Sequence, residues 1–178
     1  MQIAHAVPED ARAVAEIHVN AWRSAYARIL PADYLAALSV EKREEMWKNI
    51  IEAGQTELLV AKDGETVLGW VSFGACRDKD APPSQAELWA IYVAPNSWFK
   101  GVGRQLWLRA RALLSQQGYS TCSLWVFAEN EPAIRFYKAI GFEADTLPPQ
   151  EFELGGRQLQ EVRYVCRMGG HHCARYVP

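Results

Sequence analysis

Between Ile91 and Leu114 the hydrophobic period of the chain changes within a few residues, and few folds accommodate that change. Ile91-Tyr92-Val93 is a short apolar run of strand character and Pro95-Asn96-Ser97 is a turn. Trp98-Phe99-Lys100-Gly101-Val102-Gly103-Arg104 then carries two glycines into a helical pattern. Behind this loop Val102, Leu106, Ala110, Leu113 and Leu114 recur mostly at spacings of three and four, which buries one face of a helix that Gly118 ends. A strand that feeds a helix through glycines leaves unpaired N–H groups at the positive end of the helix dipole. Such a place binds phosphate. Gly101 and Gly103 put no side chain between a diphosphate and the backbone, and Lys100 adds a mobile positive charge. Taken alone, the two glycines fit a ligand-free strand-to-helix turn equally well.

Two familiar phosphate loops are excluded by spacing. A dinucleotide-binding G-x-G-x-x-G would place glycine where this chain has Leu106, and would lie near the start of a βαβ unit. A Walker A loop carries lysine after its last glycine, whereas Lys100 precedes Gly101. The 178 residues have a net charge of -2 and contain no basic block, which speaks against nucleic acid and anionic membrane as partners. With 49% apolar and 22% charged residues, the chain has the make-up of one folded domain over 1–178, with about 169–178 as a loose tail. No apolar run reaches membrane-spanning length, and Glu9 and Asp10 follow Pro8 where a signal peptide would be basic and then apolar. The cytoplasm is the expected compartment. Cys76, Cys122, Cys166 and Cys173 lack C-x-x-C spacing, which fits reduced thiols. His171-His172-Cys173 is one short cluster behind two glycines, and no metal site is assigned to it.

The pattern predicts an edge strand over Met1–Val7 and a helix opened by Pro8-Glu9-Asp10 that runs to about Tyr26. A short helix from Pro31-Ala32-Asp33 to Leu38 follows, then a third from Val40 to Glu52. Ser39 caps that third helix singly, because Lys42 stands where a capping box wants Glu or Gln. Strands are expected over Thr56–Ala61, Val67–Ala75 and Glu87–Val93, the first two forming a hairpin around Asp63-Gly64. Asp78 to Gln85 reads as a polar loop. After the central helix come a strand over Ser120–Phe127 and a helix over Pro132–Ile140 stopped by Gly141. A closing pair, Glu151–Leu154 and Gln160–Arg167, turns at Gly155-Gly156. The fold class is α/β: a mixed sheet with helices on both faces, in which strands 87–93 and 120–127 run parallel because a helix joins them.

Val93-x-Pro95 with the Trp98-x-x-Gly101-x-Gly103 loop resembles the acyl-CoA diphosphate motif of the GNAT superfamily of N-acetyltransferases. Asn130-Glu131-Pro132-Ala133-Ile134-Arg135-Phe136-Tyr137 followed by Gly141-Phe142 resembles that family's second motif, and the likeness in element order covers nearly the entire chain. The family usually has arginine or glutamine where Trp98 stands, so one polar contact to the phosphates is missing here.

The resemblance implies a mostly antiparallel sheet whose parallel fourth and fifth strands splay to admit acetyl-CoA as co-substrate. Pantetheine then lies along Ile91, Tyr92 and Val93 like an added strand, and the phosphates sit on Trp98, Phe99, Lys100, Gly101, Val102, Gly103 and Arg104. Asn130 joins the cofactor contacts. A primary amine, of a small molecule or of a protein or peptide, attacks the thioester directly, so no cysteine nucleophile is needed. Glu87 stands where some members carry a general base and Tyr137 where the family keeps a thiol-protonating tyrosine. The alternatives are that Glu87 flanks an edge or pairs with a surface cation, that Tyr137 packs in the core and that Asn130 caps its helix without touching cofactor. On the acceptor side the resemblance places Trp22, Tyr26 and Tyr34, with Trp89 on the fourth strand, suited to an apolar or cationic amine; core packing is the competing role of these aromatics. Family analogy also implies a homodimer. A catalytically silent acyl-CoA-binding module and transfer to a hydroxyl are the rival readings.

Overall fold

The computed structural model describes residues 1–79 and 81–168. The expected tail, with His171, His172 and Cys173, lies outside the described residues. In chain order the elements are β1 (Gln2–His5), α1 (Ala11–Ala25), α2 (Ala32–Ala36), α3 (Val40–Ala53), β2 (Glu57–Asp63), β3 (Thr66–Ala75) and β4 (Gln85–Val93). They continue with α4 (Val102–Gln116), β5 (Thr121–Phe127), α5 (Glu131–Ala139), β6 (Glu143–Ala144), β7 (Gln150–Leu154) and β8 (Arg157–Arg167). Pro8–Asp10 forms a 3-10 turn, so α1 starts at Ala11, a turn later than the proline and acids suggest.

The eight strands form one sheet in the order β1-β2-β3-β4-β5-β8-β6, with β7 also on β8. All neighbours are antiparallel except β4 and β5. One face buries Val71, Phe73, Leu88, Leu106, Ala110, Leu114 and Leu124 beneath α4, with Ile134 and Tyr137 of α5 packed against them. The other buries Val14, Trp47, Val60 and Trp70 beneath α1 and α3, and a smaller cluster joins Ile29, Leu30 and Leu35 to Phe127 and Leu159.

Local signals place the element ends. The Ser39 hydroxyl accepts from the Lys42 N–H at 3.2 Å at the start of α3, the single cap expected. The β7–β8 turn pairs Leu154 with Arg157 across Gly155 and Gly156, which take φ of 61° and 77°. Only glycine adopts two such angles in succession without strain.

The geometry that matters for function begins with a β-bulge. Ser72 pairs with Ala90 but Phe73 pairs with Leu88, so Trp89 is an extra residue in β4. Trp89 can occupy that place because Gly74 has no side chain: a Cβ there would lie 2.6 Å from the indole. The parallel pairing of β4 with β5 ends at the same level, holding only for Gln85–Thr121, Ala86–Cys122 and Glu87–Ser123. Ser123 pins this root, accepting from Gln85 Nε2 at 3.0 Å and donating to the Ala86 carbonyl at 3.4 Å. Beyond it, β5 stays paired with β8 through Phe127 and β4 with β3 through Val93, while the two strands pair no further with each other.

Candidate active site

A strand that loses its neighbour on one side keeps backbone groups aimed into the gap. The Ala94 N–H donates to the Leu68 carbonyl at 2.9 Å, toward β3. Strand alternation therefore turns Tyr92 toward β3 as well, and Ile91 and Val93 toward the gap. Of the three residues expected to line pantetheine, Ile91 turns its N–H and carbonyl to the gap and Val93 its N–H, the Val93 carbonyl being held by Trp98. Tyr92 contributes a side chain instead, whose hydroxyl accepts from Trp22 Nε1 at 2.9 Å on the α1 face.

The gap ends on the glycine loop. Gly101, at φ 79°, is the residue before α4, and Phe99 takes φ 61° with its side chain fully exposed. Among the described residues, the N–H groups of Phe99, Lys100, Gly101, Val102, Gly103 and Arg104 find no protein acceptor. Lys100 and Arg104 are exposed and belong to no ion pair among the described residues. A cradle of donors with two free cations suits a diphosphate. Gly103 serves close approach: a Cβ would lie 3.0 Å from the Phe136 ring of α5. Trp98, the departure from the usual arginine or glutamine, donates its indole N–H to the Val93 carbonyl at 2.8 Å. The lost phosphate contact becomes a brace between loop and strand.

Across the gap, the Asn130 side chain accepts from the Ala133 N–H at 3.3 Å and so caps α5, which carries Tyr137 inward. Burial pushes the Tyr137 hydroxyl far above its ordinary range, with Tyr92 adding to it. Tyr137 is therefore protonated across the physiological range, and among the described residues its hydroxyl has no hydrogen-bond partner although it is not sealed in the core.

Glu87 sits at the root and is 4% exposed. Its carboxylate takes the Arg77 backbone N–H at 2.9 Å, Nε at 3.2 Å and Nη2 at 2.6 Å. The same guanidinium lies 5.1 Å from the centre of the Trp89 ring. This two-pronged ion pair compensates the cost of burying the carboxylate, and with the Arg77 N–H it takes most of the lone-pair positions that a general base would use.

The order of strands, the open gap and the donor cradle agree with one family. Residues 16–142 match the model of the acetyltransferase (GNAT) family. The chain belongs to that family.

This GNAT chain is 35% identical over 155 residues to the uncharacterized N-acetyltransferase YuaI of Bacillus subtilis, spanning 86% of each chain. It is 27% identical over 149 residues to the spermidine N(1)-acetyltransferase of Thermoplasma acidophilum, covering 81% of this chain and 89% of that one. In fold it resembles the crystal structure of the PaiA N-acetyltransferase of Thermoplasma acidophilum in complex with coenzyme A, with a TM-score of 0.76 at 23% identity over 93% of this chain and 98% of that one.

The four aromatics expected near an acceptor divide. Trp22 and Tyr26 meet edge to face at 5.1 Å, and Tyr26 meets Phe127 of β5 at 4.9 Å, so these rings bridge the open ends of β4 and β5. Burial pushes the Tyr26 hydroxyl well up, with Tyr92, Tyr137 and Glu161 adding to it. Tyr34 and Trp89 are engaged elsewhere. Tyr34 packs beneath the β7–β8 turn, where a Cβ on Gly155 would come within 2.9 Å of its ring, and Trp89 lies over Gly74 with its N–H on the Ala75 carbonyl at 3.3 Å. A surface pocket of about 420 Å³ beside Phe127 is lined by Ile29, Leu159, Glu129 and Glu151 among others, and by none of these four aromatics.

Two charged residues near the gap escaped sequence reasoning, Arg77 and Glu161. Arg77 meets Glu87 only because the β3–β4 connection folds back, for which no local pattern speaks. Glu161 had a signal: on a strand over Gln160–Arg167, alternation puts a carboxylate on the face opposite Val162, Tyr164 and Cys166.

Proposed function

We propose that the protein transfers an acetyl group from acetyl-CoA to a primary amine by direct attack within a ternary complex. The observation that carries this reading is the β4–β5 gap, open beyond Glu87 and Ser123 and ending on the unpaired N–H groups of residues 99–104. Pantetheine lies along Ile91 and Val93, the diphosphate rests on the loop beside Lys100 and Arg104, and Asn130 borders the arm from α5. The amine comes from the α1 face, past Trp22 and Tyr26. Its lone pair forms the C–N bond as the C–S bond breaks, the nitrogen releases its surplus proton to solvent, and the leaving sulfur takes the proton of Tyr137, which regains one from solvent. The thioester oxygen is received by a strand N–H, for which Ile91 is the best-placed donor.

Glu87, expected from the resemblance as base, serves in this reading as a fixed negative charge at the root, held there by Arg77. Its occupation also favours a second reading, in which the chain binds acyl-CoA without turnover. A similar chain named for spermidine makes aliphatic polyamines the first acceptors to try. One N-acetyltransferase domain accounts for the described residues.

Thiol release from acetyl-CoA is measured across spermidine, small monoamines and peptides with free N-termini, beside calorimetry with coenzyme A. Binding with amine-dependent release supports transfer, binding without release on any amine supports the silent module, and no binding removes both.

A further inference from the structure

Once Arg77 occupies Glu87, the reading above has an acid in Tyr137 but no free group to accept the proton of the incoming ammonium. We infer that Glu161 of β8 is the general base, receiving that proton from the acceptor amine directly or through one water.

Position comes first. Glu161 is paired with Phe127, the last residue of β5, at the level where β5 has parted from β4. Directly paired residues of an antiparallel ladder share a face. Phe127 packs with Leu159, Ile29 and Leu35 on the α1–α2 side, so Glu161 points to the same side. This is the side from which the amine enters. The charge of Glu161 acts on both Tyr26 and Tyr92, the aromatics at the mouth of the gap.

Availability comes next. Among the described residues no hydrogen bond or ion pair reaches the Glu161 carboxylate, although the residue is half-buried. The cations around it are taken. Arg163, next on that face, is held by Asp78 at 2.7 Å and Asp145 at 2.6 Å. Arg157 donates to the Ile29 carbonyl at 2.6 Å and pairs with Glu129 at 3.3 Å. The other groups that face Glu161 are the hydroxyls of Tyr26 and Tyr92, the uncharged Gln150 side chain paired with it across β7 and, more distantly, the clamped Glu87. Burial and then Glu87 raise the Glu161 carboxyl above its ordinary range, which brings it nearer to the working pH of a base.

The protons balance. The ammonium gives one proton to Glu161, which passes it to solvent, and the freed lone pair forms the C–N bond as the C–S bond breaks. The new amide nitrogen sheds its second proton to solvent through the emptied Glu161 carboxylate as the thiolate takes one from Tyr137, which solvent reprotonates, so one proton is released overall.

The inference rests on the transferase reading, and the experiment separates the two. Amine-dependent thiol release from acetyl-CoA with spermidine, small monoamines and an N-terminal alanine peptide is followed between pH 6 and 9.5 for wild type, Glu161→Gln and Glu161→Asp. The expected result is a fall of about 10²-fold or more in kcat/KM for amine in Glu161→Gln with loss of the low-pH limb, partial recovery in Glu161→Asp, and unchanged acetyl-CoA affinity. A wild-type limb and rate in Glu161→Gln overturns the assignment and leaves the transferase standing. Wild type inactive on every amine overturns the transferase and the base together. Independently, carbon-13 carboxyl NMR of glutamate-labelled protein is expected to show one resonance titrating above the other glutamates and missing from Glu161→Gln; its absence overturns the assignment whichever amine is used.

Discussion

At the scale of the residue, the site is a set of groups whose protonation is decided by what surrounds them. Tyr137 sits too deep to ionise and keeps a hydroxyl free, so Tyr137→Phe is expected to lower kcat by about 10²-fold while acetyl-CoA binding by calorimetry stays near wild type. A loss of affinity with unchanged kcat would instead make Tyr137 a packing residue. His18 shows the same physics outside the chemistry. It accepts from Trp47 Nε1 at 3.2 Å among Trp22, Trp70 and Tyr92, and burial, with Arg43, depresses it to about 3. Above about pH 6.5 the imidazole is neutral folded or unfolded and costs nothing; below it only the unfolded chain takes the proton. Stability is therefore expected to fall by roughly 1.4 kcal/mol per pH unit from about 6.5 toward the depressed value, or about 2 kcal/mol by pH 5. Urea unfolding of wild type against His18→Leu checks this, since the variant lacks that slope. The resemblance in sequence put Tyr137 and Asn130 forward as candidates. It could not show that Glu87 is occupied, because Arg77 reaches it through a fold in the chain and not through spacing.

At the scale of the element, strand, loop and helix between Ile91 and Leu114 were legible because each carries its own signal: apolar run, glycines, three-four spacing. Ser39, Gly155-Gly156 and the β2–β3 hairpin were legible for the same reason. Three features were not. β6 is too short for a pattern, β8 begins at Arg157 because its hairpin with β7 supplies the pairing, and the Trp89 bulge depends on the missing side chain of Gly74 across the ladder. That bulge accompanies the parting of β4 from β5, so the element that makes the site is the one that local periodicity hides. Gly101 gives a direct test of the cradle. A Cβ there meets nothing within 4 Å, so Gly101→Ala adds only the strain of a left-handed backbone, about 1–2 kcal/mol in urea unfolding, or else reshapes the loop. Weaker coenzyme A binding with little loss of stability is the signature of reshaping, and unchanged binding with unchanged stability would deny the loop its φ requirement. Asn130→Ala removes the α5 cap and is expected to cost about 1 kcal/mol in the same assay.

At the scale of the molecule, α1 and α3 close one face of the sheet and α4 and α5 the other, leaving the parallel strands to part in the middle. The mixed sheet and its parallel pair followed from element order and the connection rule, whereas the sheet positions of β7 and β8 needed long-range pairing that no local window contains. Among the described residues no helix is long and apolar enough to cross a membrane. Ligand binding to a folded chain stabilises it, so acetyl-CoA at a hundred times its Kd should add about 2.7 kcal/mol, seen as a rise in Tm of roughly 2–4 °C per kcal/mol. The most direct test is an amide-resolved proton–nitrogen NMR titration with acetyl-CoA. The account predicts that the largest shifts fall on the amides of residues 99–104, Ile91 and Val93, with those of β1 and β2 unmoved. Saturable shifts gathered elsewhere, or none at all, would contradict it.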